Sequence, residues 1–292
     1  MRAVSAATDS PGRSRVRAPE LLGQRTLTAV LLAPAAILLI LLAPTWLFAL
    51  AIGVLVLAAL WEWSRLAGWR LRPLRGLLLA AMAGACLALW FWRGTPAGMA
   101  VIALGVLGWL LAVLWLRRPT RWASPTRAHA WIKLGLALPA LLPAWLALTT
   151  LHAGGMRAHV WTLLALMLVW SADTGAYFAG TRFGRSKLAP LISPGKTWEG
   201  VAGGAILAAL LAAAFGWGLR LRGAQLLLLL GVAVLVVAFS IIGDLIESLL
   251  KRQAAVKDSG RMFPGHGGLL DRIDSVLAAA PVFVLLKVLL GL

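Results

Sequence analysis

Cysteine is almost absent: Cys86 alone stands among 292 residues, inside the apolar run "AAMAGACLALW". No disulfide can form within the chain, so cysteine usage gives no reading of redox compartment, and Cys86 reads as packing. Charge is scarce as well. Charged residues make up 13% of the chain, about half the share usual in soluble domains, while hydrophobic residues reach 61%. So little charge cannot cover the surface of a soluble protein of this length. Lipid as the outer solvent needs no such cover. Acid is rarest of all, with ten Asp and Glu against 28 Lys and Arg and a net charge of +18. A chain this basic raises nucleic acid as a partner. The cations, however, fall in short clusters between apolar runs, not in one stripe interleaved with aromatics. They read as topology signals and contacts to anionic membrane lipids, and no nucleic-acid partner is expected.

What the chain has in abundance is apolar length. Crossing about 30 Å of hydrocarbon takes roughly 20 residues. Runs of that kind lie at 27–43, 46–64, 75–92, 97–116, 132–150, 159–179, 201–219, 224–250 and 275–291, which predicts an all-α, polytopic membrane protein of about nine spans. Residues 1–25, rich in Arg, Ser and Ala, read as a disordered basic arm. A basic stretch before an apolar one also fits a signal peptide, yet no small-residue cleavage pattern follows. Residues 26–150 then form an amino-terminal set of about five spans, and 151–292 a catalytic set of about four with cytoplasmic loops. With the amino terminus in the cytoplasm, 23 of the 28 Lys and Arg fall on the inner side. Arg93, Arg157, Arg220 and Arg222 fall outside, and Lys287 lies in the last span.

The acids are not spread like the cations. Seven of the ten lie between Asp173 and Asp274, all at the cytoplasmic ends of the last four spans or in their inner loops. Only Glu62, in "LWEWSRL", stands in the first five spans. Asp244 lies six residues before the end of its span, about 9 Å along a helix, close to the inner interface. Glu247, Ser248 and Lys251 share its helical face. Asp271 and Asp274 begin the last span, where carboxylates also act as ordinary caps. Capping does not explain why two segments bring acids to one membrane face. Such a set suits a hard divalent cation such as Mg²⁺, which keeps water and binds phosphate.

A second polar island, "WSADTGAYFAGTRFGRSKLAPLISPGKTWEG", spans 170–200. Its "PGKT" is no P-loop, because Pro190 stands where the first glycine is required and no strand context is evident. Its physics still favours anions. Pro194 and Gly195 predict a turn, Lys196 supplies a cation, and Ser193 or Thr197 can cap the following helix. Downstream, "FPGHGG" offers Gly265, Gly267 and Gly268, which allow close backbone approach to a ligand, beside His266. Lys196 alone reads equally as a topology signal, and His266 alone as a hydrogen-bonded loop residue. Together they describe an inner-face cleft for metal and phosphate.

The run "SLLKRQAAVKDSGRMFPGHGGLLDRIDS", 248–275, resembles the signature of phosphatidate cytidylyltransferases, the CDP-diacylglycerol synthases. "SADTGAYFAG", "KLAP" and "SPGKTWEG" look like that family's second block, and "WEW" at 61–63 also agrees. The resemblance implies transfer of a cytidylyl group from CTP to phosphatidate, giving CDP-diacylglycerol and pyrophosphate, with Mg²⁺ assisting. It implies a homodimer, a metal site involving Asp244 and Asp271, and a monovalent cation such as K⁺ that the residues themselves do not reveal. Chemistry between two phosphates needs charge screening above all, and no covalent nucleophile. On that reading Asp244 and Asp271 bind metal, Asp258 and Asp274 support metal or Lys/Arg, and Asp173 is either a metal-shell or a helix-packing residue. Lys196, Lys257 and Arg272 hold phosphates, Ser193, Thr197 and the 265–268 loop contact substrate, and His266 joins the catalytic set. The expected site faces the cytoplasm from the inner, plasma membrane. An ion-coupled transporter is the main rival, but transporters place their sites near the midplane, often across inverted repeats. Another lipid nucleotidyl- or phosphotransferase, such as a polyprenol kinase, and a purely structural scaffold are the others.

Overall fold

The computed structural model describes residues 33–69, 71–260, 262 and 267–292. The basic arm 1–25, the first part of the span at 27–43, Gly265 and His266 lie outside the described residues. Helix α1 is described over Ala33–Leu42. It is followed by α2 Thr45–Leu66, α3 Arg72–Trp90, α4 Pro96–Leu116, α5 Arg127–Gly135, α6 Ala137–His152 and α7 Met156–Phe183. A short hairpin, β1 Lys187–Ala189 and β2 Ser193–Thr197, precedes α8 Trp198–Gly218, α9 Ala224–Gln253 and α10 Leu270–Leu289. Seven helical segments are long and apolar enough to cross a membrane, with α5 and α6 counted as one. The chain is thus an all-α, multi-pass membrane protein apart from its one hairpin.

Local chemistry sets the helix ends. Thr95 Oγ1 accepts from Gly98 N at 3.1 Å and Thr126 Oγ1 from His129 N at 3.2 Å, so both threonines cap their helices. The span expected at 132–150 starts earlier, at Arg127, and breaks at Leu136. Pro139 explains the break, since it has no N–H to continue the helix onto Gly135. Gly154 and Gly155, with φ of 128° and 81°, turn the chain between α6 and α7 in backbone conformations that a side chain disfavours.

Helix α6 is the central column: Leu141, Ala144, Leu146 and Ala147 are almost wholly buried. Leucines along α4, such as Leu104, Leu107 and Leu111, point outward as a lipid-facing surface requires. The most extensive pairings are α7 with α8 and α9 with α10. In the first, Gly175 faces the Gly203 carbonyl and Gly204 faces the Ala172 carbonyl so closely that a Cβ at either would stand 2.6 Å from the oxygen. Small residues thereby bring the two backbones into direct contact. In the second, Gly243 lies directly against the Asp274 carbonyl. That crossing sets Asp244 beside the start of α10.

The hairpin corrects one expectation. Pro194 and Gly195 lie inside β2, and the turn falls at 190–192 instead. Strands β1 and β2 pair antiparallel, with Lys187 opposite Thr197, Ala189 opposite Ser193 and an irregularity between. A two-stranded ribbon has only edges, where proline's missing N–H costs no ladder bond. The hairpin is tied to α9 by Arg252 Nε, which donates to the Ile192 carbonyl at 3.2 Å. Gln253 Nε2 likewise reaches the carbonyls of Pro119 and Arg121, at 2.8 and 3.0 Å, joining the α4–α5 loop to the same helix end.

Candidate active site

Two groups of charged side chains meet where α7 ends, α8 begins, α9 ends and α10 begins. The first surrounds Lys196, at the end of β2. Its Nζ lies 2.5 Å from Asp244 Oδ2, and Ser248 Oγ donates to Asp244 Oδ1 at 3.2 Å. Asp173 on α7 and Asp274 on α10 are both close enough to interact electrostatically with Asp244 and with Lys196. Asp274 is buried, and its Oδ1 accepts from Ser275 N at 2.7 Å. Lys196 thus pairs with Asp244 and lies within electrostatic reach of two further carboxylates. Two of the three, Asp173 and Asp244, line a cavity of about 340 Å³ whose walls also include Tyr177, Lys196, Thr197 and Ser240.

Thr197 holds the rim of that cavity. Its hydroxyl accepts from Gly200 N at 3.1 Å, so it caps α8, and Gly180 and Gly200 leave room for it. Glu199 in the first turn of α8 accepts from Ser186 N at 3.1 and 3.2 Å, which fastens the strand entry. Ser193 opens β2 at the far end of the hairpin, half-buried.

The second group centres on Lys251, one turn beyond Glu247 on α9. Lys251 Nζ lies 2.5 Å from Glu247 Oε2 and 2.7 Å from Asp271 Oδ1. Asp271 Oδ2 accepts from Gly268 N at 2.7 Å and Ser259 N at 3.0 Å. Glu62, nearly at the end of α2, accepts from Leu269 N at 3.1 Å and Leu270 N at 2.8 Å. Ser259 Oγ stands between the two acids, 2.8 Å from Glu62 Oε2 and 3.0 Å from Asp271 Oδ2, with one proton to give. Arg65 Nη2 closes the ring by donating to the Ser259 carbonyl at 2.5 Å. Gly260 and Gly268 lie so close to the Glu62 carboxylate that a Cβ on either would overlap it. Gly267, with φ of 83°, lies beside Asp258 and Asp271. Its conformation suits glycine alone.

The expected residues therefore separate. Asp173, Lys196 and Asp244 line the cavity, Asp274 is buried close behind them, and Asp271 sits in the neighbouring ring with Gly268. Lys257 and Asp258 are exposed in the loop, and Arg272 is exposed in the first turn of α10. Glu62, Arg65, Glu247, Lys251 and Ser259 are participants that the sequence reading did not place in the site. Glu247, Ser248 and Lys251 had a signal, their shared helical face with Asp244; Glu62 had only its isolation and its place in "WEW".

The donor set fits a hard divalent cation. All side-chain donors are carboxylate oxygens, and negative charge exceeds positive around Lys196. Both Glu247 oxygens are buried without a hydrogen bond, because Lys251 approaches Oε2 off hydrogen-bonding geometry. Among the described residues no group of three or more Asp, Glu, His or Cys is arranged as a closed metal cage. Mg²⁺ is ordinarily held by one or two carboxylates together with substrate phosphate and water, so an open pair is the expected form.

Known proteins are similar to this chain in sequence. A phosphatidate cytidylyltransferase of Pseudomonas aeruginosa is 46% identical over 270 residues, covering 91% of this chain and 97% of that protein. One of Haemophilus influenzae is 36% identical over 283 residues, covering 90% and 97%. One of Bacillus subtilis is 47% identical over 125 residues, 43% of this chain and 46% of its own. Residues 23–290 match the profile described as the cytidylyltransferase family, and the chain belongs to that family.

Proposed function

We propose that the protein transfers a cytidylyl group from CTP to phosphatidate. A phosphate oxygen of the lipid attacks the α-phosphorus of CTP, the bond to the β-phosphate oxygen breaks, and pyrophosphate leaves with that electron pair. The observation that carries this reading is the convergence of Asp173, Asp244 and Lys196 on one cavity, with Asp274 buried close by, at one end of the membrane helices. Its relatives named phosphatidate cytidylyltransferase support the choice of nucleotide and lipid.

The residues divide the work. Lys196 is the cation nearest the cavity and would exchange Asp244 for a phosphate oxygen. Lys257 and Arg272, both exposed, would attract the triphosphate, and the 265–268 loop, with His266, would contact it. Asp244, with Asp274 and Asp173 around it, would hold Mg²⁺, and Asp271 would join that shell by giving up Lys251. Bound there, the ion would supply the positive charge that lets two anionic phosphates approach. Asp271 and Glu62 meanwhile fix the glycine loop on which α10 starts.

The same proposal makes α1 and α10 membrane-crossing, which gives nine spans with the amino terminus and the site on the cytoplasmic face of the inner membrane. The gathering of 23 of 28 Lys and Arg on that side supports it. A homodimer and a monovalent cation such as K⁺ complete the proposal. The test is direct: purified protein is incubated with phosphatidate, Mg²⁺ and labelled CTP, or with ATP or UTP in its place. Label entering lipid only from the cytidine nucleotide is the expected result; no lipid label from CTP overturns the proposal.

A further inference from the structure

A cavity of about 680 Å³ lies at the other end of the helices, where α6 ends, α7 starts, α8 turns into α9 and α10 finishes. Lys287, on its wall, is 16 residues beyond Asp271 on α10, about 24 Å along the helix axis. The cavity and the carboxylate cluster are therefore at opposite membrane faces.

Three cations line it: Arg157, Arg220 and Lys287. No Asp or Glu is among its lining residues, and among the described residues neither Arg157 nor Arg220 is in an ion pair. Arg157 and Lys287 are close enough to repel each other. Lys287 Nζ donates to the Leu292 carbonyl at 2.7 Å and stands 4.8 Å above the Trp161 ring. Arg220 holds φ of 63°, unusual for a residue with a side chain. Thr150 Oγ1, also on the wall, is buried and has no hydrogen-bond partner.

Charge counting makes this arrangement unusual. Only four Lys or Arg fall in the loops on this side, and two of them, Arg157 and Arg220, meet at one cavity with Lys287 from the last helix. Two guanidinium groups gathered without an Asp or Glu beside them call for an anion. The planar guanidinium fork matches phosphate oxygens, and a volume of this size accepts a headgroup.

We propose that this cavity binds an anionic phosphate group, with Arg157 and Arg220 as its charge partners and the Thr150 hydroxyl as a further donor. Two sources share that chemistry, a phospholipid headgroup of the adjacent leaflet and free inorganic phosphate. Protein in phosphatidylcholine nanodiscs is compared with protein in discs containing phosphatidylglycerol, and with the first discs plus inorganic phosphate. Thermal stability and lipid retained in native mass spectra are read for wild type, Arg157→Gln, Arg220→Gln and the double variant. Both arginines are exposed, so the single variants are expected to fold. Stabilisation by phosphatidylglycerol that needs about tenfold more anionic lipid in each single variant assigns the site to a headgroup. The same loss seen with inorganic phosphate assigns it to the free anion. Equal responses of wild type and all variants to both additions overturn the proposal. Cytidylyl transfer measured on the same samples is expected to persist, since these residues lie at the far membrane face.

Discussion

Glu62→Gln tests whether an acid from the amino-terminal half positions the catalytic loop. The two side chains have nearly the same shape, so no cavity confuses the result. Glu62 accepts from Leu269 N, Leu270 N and Ser259 Oγ. An amide keeps one oxygen. Its least costly orientation puts the NH₂ toward Leu269 N, which loses one charge-assisted bond and sets two donors face to face. A lost bond to a charged group and a buried donor left unpaired together cost about 2–4 kcal/mol. With about 1.4 kcal/mol for each factor of ten, the balance between seated and released loop shifts by roughly 30- to 1000-fold. Turnover of labelled CTP into lipid is expected to fall at least tenfold, mostly in kcat, while the protein still inserts and folds. Amide hydrogen exchange over 259–271 should accelerate in parallel. Turnover within twofold of wild type with unchanged exchange would refute the role given to Glu62.

Three further outcomes follow from the site and its frame. Asp271→Asn is expected to abolish turnover with expression and membrane insertion intact, because the amide holds neither Lys251 nor a metal; near-normal turnover would remove Asp271 from the mechanism. Chelation of divalent ions should stop lipid labelling, and added Mg²⁺ should restore it; transfer that persists in chelator counts against the carboxylate assignment. Gly204→Val would drive a side chain into the Ala172 carbonyl, since even a Cβ stands 2.6 Å away, and should cost about 1–3 kcal/mol. Thermal unfolding in detergent reads that loss, and an unchanged Tm would mean that α7 and α8 can part without penalty.

Much of the fold was legible because lipid imposes one rule, a long apolar run per crossing, and every run foreseen by composition contains or overlaps a helix among the described residues. The acidic end was legible as well, since carboxylates near a membrane are rare enough to stand out. Packing detail was not. The period of apolar residues cannot say that Gly243 admits the Asp274 carbonyl, which is what brings Asp244 to its neighbours. The partner of Lys196 was equally hidden, because Asp244 follows it by 48 positions and only the crossing of β2 and α9 joins them. Pro194 and Gly195 read as a turn by their identity, but pairing with Lys187–Ala189 moved the turn upstream. Glu62 shows the limit most sharply: it precedes Leu270 by 208 residues and meets it only through three-dimensional packing.

The glycine-lined meeting of α7 and α8 also decides where a greasy substrate cannot travel. Carbonyls and Cα atoms from the two helices already touch there, whereas a hydrocarbon chain needs about 4 Å from its carbon centres to those of each wall. That side of the carboxylate-lined cavity is a sealed bulkhead. If phosphatidate reacts at this cavity, as proposed, its headgroup would have to arrive around another flank, and the lipid's own amphipathic shape would help to aim its phosphate at the nucleotide.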